Sequence, residues 1–157
     1  MSSAALRNVS RAMLSAALLT GAAHAQSVQD HPVRAVFMQG IGEFNAHHLE
    51  TFLEQFAPDL EMYAADAGWL RTPASVRERY VSTFARFPNV RMEIDSLRVR
   101  PTGREAAVVN FIFRVYPSGT GAAFEGTGSG TYALRDGRWV EVQEHETVTR
   151  VDPLLRR

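Results

Sequence analysis

His145 is the side chain in this 157-residue chain best suited to moving a proton near neutral pH. An imidazole titrates there and can act as acid or as base. If residues 139–148 form a strand, Trp139, Glu141, Gln143, His145 and Thr147 share one face, and Val140, Val142, Glu144, Glu146 and Val148 share the other. With the first face turned inward, Glu141 and His145 form a carboxylate–imidazole pair. With the valine face as the core, His145 is a structural hydrogen-bonder at the end of a sheet.

Other chemistries find less support. There is no cysteine, which removes thiol nucleophiles, cysteine metal sites and disulfides. Every basic residue is Arg, so Schiff-base chemistry through lysine is excluded. No serine stands in a nucleophile-elbow context. His47 and His48 are adjacent and point in different directions on a helix, a poor metal pair even with His31 and Glu50 near, so no metal site is expected. No residue pattern calls for a cofactor. Gly126, Gly128 and Gly130 recur at every second position without the strand-to-helix context of a phosphate loop. They strip one face of a strand, either so that the sheet can curve or so that a ligand has room.

Positioning these groups requires helices followed by strands. Pro32 after His31 opens a helix with Val33, Phe37, Gly40, Ile41 and Phe44 at helical spacing. Asn45-Ala46 breaks it. A shorter helix carries Leu49, Phe52, Leu53 and Phe56, and Pro58 stops it. Leu60, Met62 and Ala64 alternate as a strand. Thr72-Pro73 starts a third helix with Val76, Tyr80, Phe84 and Phe87. Four strands then form a meander: 91–100 with a slip between Ser96 and Leu97 that marks a bulge, 105–116, 122–135, and 138–149 after an Asp136-Gly137 turn. Residues 151–157 read as a polar tail. The order is that of an α+β domain with helices packed on one side of an antiparallel sheet.

Residues 1–25 read as a cleavable signal peptide. Arg7 and Arg11 supply the charge, Ala12 to Ala23 the short apolar core, and Ala23-His24-Ala25 the small-residue exit. The apolar run falls short of the roughly 20 residues that span a bilayer. A periplasmic or secreted protein is expected, one domain over 26–157, with no membrane association after cleavage. Loss of Arg7 and Arg11 from a chain with 17 basic and 17 acidic residues leaves a slightly acidic protein. That balance argues against nucleic acid as a partner.

Three segments together resemble the nuclear-transport-factor-2-like superfamily, in particular its SnoaL-like branch. They are Phe44-Asn45-Ala46 with Leu49 and Phe52 to Asp59, Gly68 to Tyr80, and Gly128 to Thr147 with Gly137-Arg138-Trp139 and His145-Glu146-Thr147. The resemblance implies a cone: a curved antiparallel sheet wrapped around three N-terminal helices, with a pocket at the wide end. Members include isomerases, dehydratases, hydrolases and cyclases, and many ligand-binding or partner-binding domains, so the fold does not decide function.

Ketosteroid isomerases of that superfamily use a carboxylate base, with a tyrosine and a protonated acid as the oxyanion hole. Aligning Asn45-Ala46 with their equivalent pair puts the tyrosine position near Gly40, the base near Ala64 and the second acid near Gly130, none of which is the needed residue. Asp66 stands two residues beyond the base position.

The leading expectation is therefore an exported domain that binds a small, largely apolar molecule. Phe37, Met62, Trp69, Tyr80, Phe84, Phe111, Phe113, Tyr132 and Trp139 supply its lining. The second is a lyase or isomerase using His145 with Asp66 or Glu141. The third is an interaction module without a ligand, a homodimer through the outer sheet face, where Arg91, Glu93, Asp95, Arg98 and Arg100 form a charged strand surface.

Overall fold

The computed structural model describes residues 31–156. The signal-peptide expectation for residues 1–25 lies outside the described residues. Three helices, α1 (Pro32–Asn45), α2 (Leu49–Leu53) and α3 (Pro73–Arg86), pack on a six-stranded sheet. Its strands are β1 (Phe56–Ala64), β2 (Gly68–Leu70), β3 (Arg91–Pro101), β4 (Ala106–Tyr116), β5 (Phe124–Arg135) and β6 (Arg138–Val151), in the order β2-β1-β6-β5-β4-β3. A 3-10 turn, Pro153–Arg156, follows β6 in the stretch expected to be tail.

The helix boundaries follow from local chemistry. At α1 the His31 Nδ1 accepts from the Val33 N–H at 3.3 Å, and Pro32 fills a first-turn position where no N–H is needed. At α3 Thr72 and Ser75 cap each other reciprocally, with Pro73 between them in the sequence. The Asn45-Ala46 break does more than end a helix. The Asn45 amide donates to the Met92 carbonyl at 2.9 Å and accepts from the Met92 N–H at 2.7 Å, tying the end of α1 to the start of β3. His47 then turns the chain at φ 58, in the left-handed region.

Two expectations are corrected. Phe56 is not on α2, which ends at Leu53. Phe56 opens β1, which runs through Pro58. Pro58 is accommodated because β1 and β6 lose register between Phe56 and Glu61, so no ladder N–H is required of it. The sheet is also not wholly antiparallel, since β1 runs parallel to β6 while every other pairing is antiparallel.

Bulges bend the sheet at three further places, after Ile94 in β3, and in β6 between Glu141 and Gln143 and between Val148 and Arg150. The glycine face of β5 contributes in another way. Gly126 and Gly128 pair with Phe113 and Phe111, and those two rings lie over them in the space a Cβ would need. At Gly130 the same space holds the Glu141 carboxylate. Neighbouring side chains fill the stripe, so it leaves no room for a ligand.

Two apolar clusters result. One gathers Phe44, Phe52, Leu60, Met62, Val76, Tyr80 and Val90 between α2, α3 and β1. The other gathers Val33, Phe37, Val99, Val109, Phe111, Phe113 and Tyr132 between α1 and the β3–β5 end of the sheet.

A carboxylate-lined cavity as the candidate functional site

A cavity of about 320 Å³ lies between the two clusters. Phe44, Phe52, Tyr80 and Val90 line it from one side, and Phe37, Phe111 and Phe113 from the other. Phe56, Met92, Val115 and Phe124 complete much of the apolar wall. Arg86, Val148 and Asp66 line it and are exposed, which places the opening beside the end of α3 and the end of β6.

The polar side comes from β6. Tyr132 pairs with Glu141 and Thr131 with Gln143, so Val142 is an extra residue that switches the strand's faces. Glu141 on one side of this bulge, and Glu144 and Glu146 on the other, all turn inward. They are only 3%, 7% and 6% exposed, and all three line the cavity. Gln143, His145 and Thr147 turn outward and are exposed.

Arg79 of α3 answers part of this charge. Its Nη2 is 2.8 Å from Glu146 Oε2, its Nε donates to Asp66 Oδ1 at 3.1 Å, and its Nη1 donates to the Tyr80 hydroxyl at 2.9 Å. Burial works against the guanidinium charge, but Tyr80, Glu146, Asp66 and Glu144 more than offset it and hold the pKa above its ordinary value. Deeper in, the Tyr132 hydroxyl donates to Glu141 Oε2 at 3.2 Å. Glu141 Oε1 and Glu144 Oε2 are buried with no hydrogen-bond partner.

These surroundings set the proton affinities. Burial and then repulsion from Glu146 push Glu144 up to about 8, with Arg79 pulling the other way. Burial and repulsion from Glu144 push Glu141 well above the carboxylate range. Burial also raises the Tyr80 and Tyr132 phenols well above theirs. Glu144, pushed to about 8, thus keeps its proton at neutral pH, an unusual state for glutamate and one that suits general acid–base work.

Of the residues expected from sequence, Phe37, Tyr80, Phe111, Phe113, Asp66 and Glu141 line this cavity. Met62 and Tyr132 are fully buried in the packed clusters. Phe84 packs against Phe44 at 5.3 Å and stacks on His47 at 4.6 Å. Trp139 sits edge-on to His31 at 5.0 Å.

Trp69, expected in the lining, lies in β2 and is not part of the cavity wall. It is 52% exposed, 5.4 Å from Tyr63 and 4.7 Å from the Arg71 guanidinium. His145 stands 5.2 Å from the same Tyr63. The proposed His145–Glu141 and His145–Asp66 pairs do not form, because the Val142 bulge sends the imidazole to the opposite face of the sheet from both carboxylates. His47 and His48 serve as local hydrogen-bonders, to the Val90 carbonyl and to Glu43.

Sequence reasoning missed Glu144, Glu146 and Arg79. Arg79 was within reach: it lies three residues after Val76, on the same side of α3 as the buried stripe. Glu144 and Glu146 alternate with Val148 as an inward face does, but the bulge that puts them in phase with Glu141 leaves no mark in the residue types.

An antiparallel-dominated curved sheet closed by helices over an internal cavity defines a nuclear-transport-factor-2-like domain. The chain belongs to the SnoaL-like domain family, whose profile matches residues 37–142. Solved structures agree on the fold. An NTF2-like protein of unknown function from Pseudomonas putida KT2440 superposes with a TM-score of 0.69 at 14% identity, covering 76% of this chain and 85% of that one. A candidate scytalone dehydratase from Novosphingobium aromaticivorans gives 0.67 at 12% identity, covering 85% and 89%. The association domain of C. elegans CaMKII gives 0.63 at 16% identity, covering 76% and 95%. At these identities the likeness concerns the fold alone. No curated protein sequence matches the chain.

Proposed function

We propose that this domain binds a small, largely apolar molecule in the cavity between its two clusters. The observation that carries the reading is the cavity's composition. About 320 Å³ is walled mainly by phenylalanine and aliphatic side chains, with a few buried polar groups gathered along β6. Binding sites for small molecules share that composition and fall in that size range. A bicyclic aromatic fits within such a volume.

Isothermal calorimetry with naphthalene derivatives tests the reading. Saturable binding of one per chain that is lost in Phe111→Trp, which fills the space, supports it. Absence of saturable heat with every probe overturns it.

A second reading, a lyase or isomerase, draws support from Glu144. A carboxyl group with a pKa near 8 beside an apolar cavity can hold and deliver a proton at neutral pH. In this reading Glu144 replaces His145 as the proton-transfer group and Arg79 orients the neighbouring Glu146. Turnover of any substrate should vanish in Glu144→Gln and survive in His145→Ala, and the reverse result rejects the assignment.

A further inference from the structure

We infer that the cavity selects ligands whose polar end is a protonated amine, held by Glu144 with Glu141 behind it. This rests on the pocket-binding reading above and names the chemical class of its ligand.

The argument starts from what the cavity lacks. Glu144 Oε2 and Glu141 Oε1 are buried without a partner, and both residues line the cavity. Of the two, Glu141 Oε1 lies against Gly130, so Glu144 is the nearer anchor. An unpartnered buried carboxyl oxygen is costly, and a cation is the partner that relieves it most.

Among the described residues no cation donates a hydrogen bond to these two oxygens, and Arg79 acts on Glu144 only through space. The Arg79 guanidinium is taken by Glu146, Asp66 and the Tyr80 hydroxyl. Arg86 lines the cavity from an exposed position and packs over Phe87 at 5.1 Å. Aromatic rings of the same cavity wall complete an ammonium site. Phe56 is the register partner of Glu141 on the neighbouring strand. Tyr80 stacks parallel to Phe56 at 6.1 Å and meets Phe52 edge-on at 4.6 Å. Such rings attract a desolvated ammonium through their negative faces. The apolar body of the ligand then extends over Phe37, Phe111 and Phe113.

A neutral hydroxyl or carbonyl can hydrogen-bond one of these oxygens whether or not Glu144 keeps its proton, so it gains nothing from ionisation of that group. A carboxylate would oppose that ionisation.

The charged groups facing Glu144 are Glu141 and Glu146 of its own strand and Arg79 of α3, with the Tyr80 and Tyr132 phenols beside them. Asp66 and Arg86 line the same cavity. Because Glu144 carries a proton until about pH 8, an ammonium must displace that proton to form the ion pair. Amine binding therefore releases a proton below that pH and tightens as the pH rises. Alkylamines keep their own proton over this range.

The test compares naphthylmethylamine, naphthylmethanol and naphthoate, equal in ring and different in head, by calorimetry at about pH 6.5 and about pH 8.5. Amine affinity should rise on the order of tenfold or more between the two, as expected for one ionising group. Alcohol affinity should stay flat and naphthoate should not bind. Running the amine titration in two buffers of different ionisation enthalpy should reveal proton release at the lower pH. Glu144→Gln should abolish the amine preference over the alcohol and its pH dependence. Should that variant not fold, the wild-type pH series and proton count still decide.

Saturable alcohol binding with no preference for the amine at either pH overturns the amine inference and leaves the pocket reading standing. Preferential naphthoate binding does the same and points to the arginines. Failure of all three probes to bind removes the pocket reading itself, and the inference with it.

Discussion

Arg79 Nη2 and Glu146 Oε2 lie 2.8 Å apart on facing elements, α3 and β6, and both side chains are largely withdrawn from solvent. Their pairing lets the sheet present three inward glutamates without three uncompensated charges. Removing one partner of a buried pair costs more than the pair's net worth, because the other charge stays buried alone. Arg79→Met should therefore destabilise the domain by about 3–5 kcal/mol. Glu146→Gln, which keeps a hydrogen-bond acceptor for Arg79, should cost clearly less. Urea unfolding of both variants checks the order, and equal losses would mean that the ion pair is not what holds α3 to β6.

The raised proton affinity of Glu144 makes a prediction about pH. A carboxyl group whose folded pKa exceeds its unfolded value binds more protons when folded. Its contribution is most favourable below the ordinary value of 4.5 and is lost as pH rises toward about 8. Surface carboxylates act in the opposite sense. Asp59, Glu50 and Asp95 are held low by hydrogen bonds to Arg135, Arg77 and Arg114, so their contribution is lost on acidification. The melting temperature should accordingly fall between about pH 5.5 and about pH 8.5. Glu144→Gln should flatten that slope and raise the melting temperature at the alkaline end by several degrees, at roughly 4 °C per kcal/mol. A parallel slope in the variant would locate the titration elsewhere.

Where sequence reasoning succeeded and failed is instructive at β6. The α+β class, the helix starts at Pro32 and Pro73 and the Asp136-Gly137 hairpin were legible because each depends on local chemistry. Proline fits a first turn, Thr72 caps, and Gly137 takes the positive φ the turn needs. The inward face of β6 was not legible, because it depends on a single extra residue, Val142, whose effect is set by pairing with β5 on one side and β1 on the other. One residue of slip moved His145 out and brought Glu144 and Glu146 in. The parallel pairing of β1 with β6 was hidden for a similar reason: nothing in either strand's residue types names its neighbour.

Asn45 offers a test of how the cavity's rim is held. Its amide makes two hydrogen bonds to the Met92 backbone, and Met92 lines the cavity. Asn45→Ala removes both and leaves the Met92 N–H without a partner, a loss of about 2–3 kcal/mol. Asn45→Asp keeps the acceptor for that N–H and loses the donor, so it should be milder. Hydrogen exchange at the Met92 amide reports the difference directly: fast in Asn45→Ala and still protected in Asn45→Asp. Unchanged protection in Asn45→Ala would mean that the N–H has another acceptor and that this clamp is not needed.

Two glycines should respond in opposite directions to the same substitution. Gly42 lies on an exposed turn of α1 with open space where a Cβ would go, and its backbone is helical. Alanine there restricts the unfolded chain without strain, so Gly42→Ala should stabilise by about 0.5–1 kcal/mol. Gly128 also tolerates an L residue by its backbone, since its φ lies outside the positive region. A Cβ at Gly128, however, would enter the Phe111 ring, which packs on Phe37 at 4.9 Å and on Phe113 at 5.9 Å. The ring cannot yield without moving this aromatic group, so Gly128→Ala should destabilise by about 1–3 kcal/mol. Phe111 lines the cavity, so a displaced ring should also weaken binding of the naphthalene probes. Denaturant titrations of the two variants decide the sign. A neutral Gly128→Ala would show that Phe111 has somewhere else to go, and that the glycine stripe serves the bend of the sheet rather than the seating of the rings.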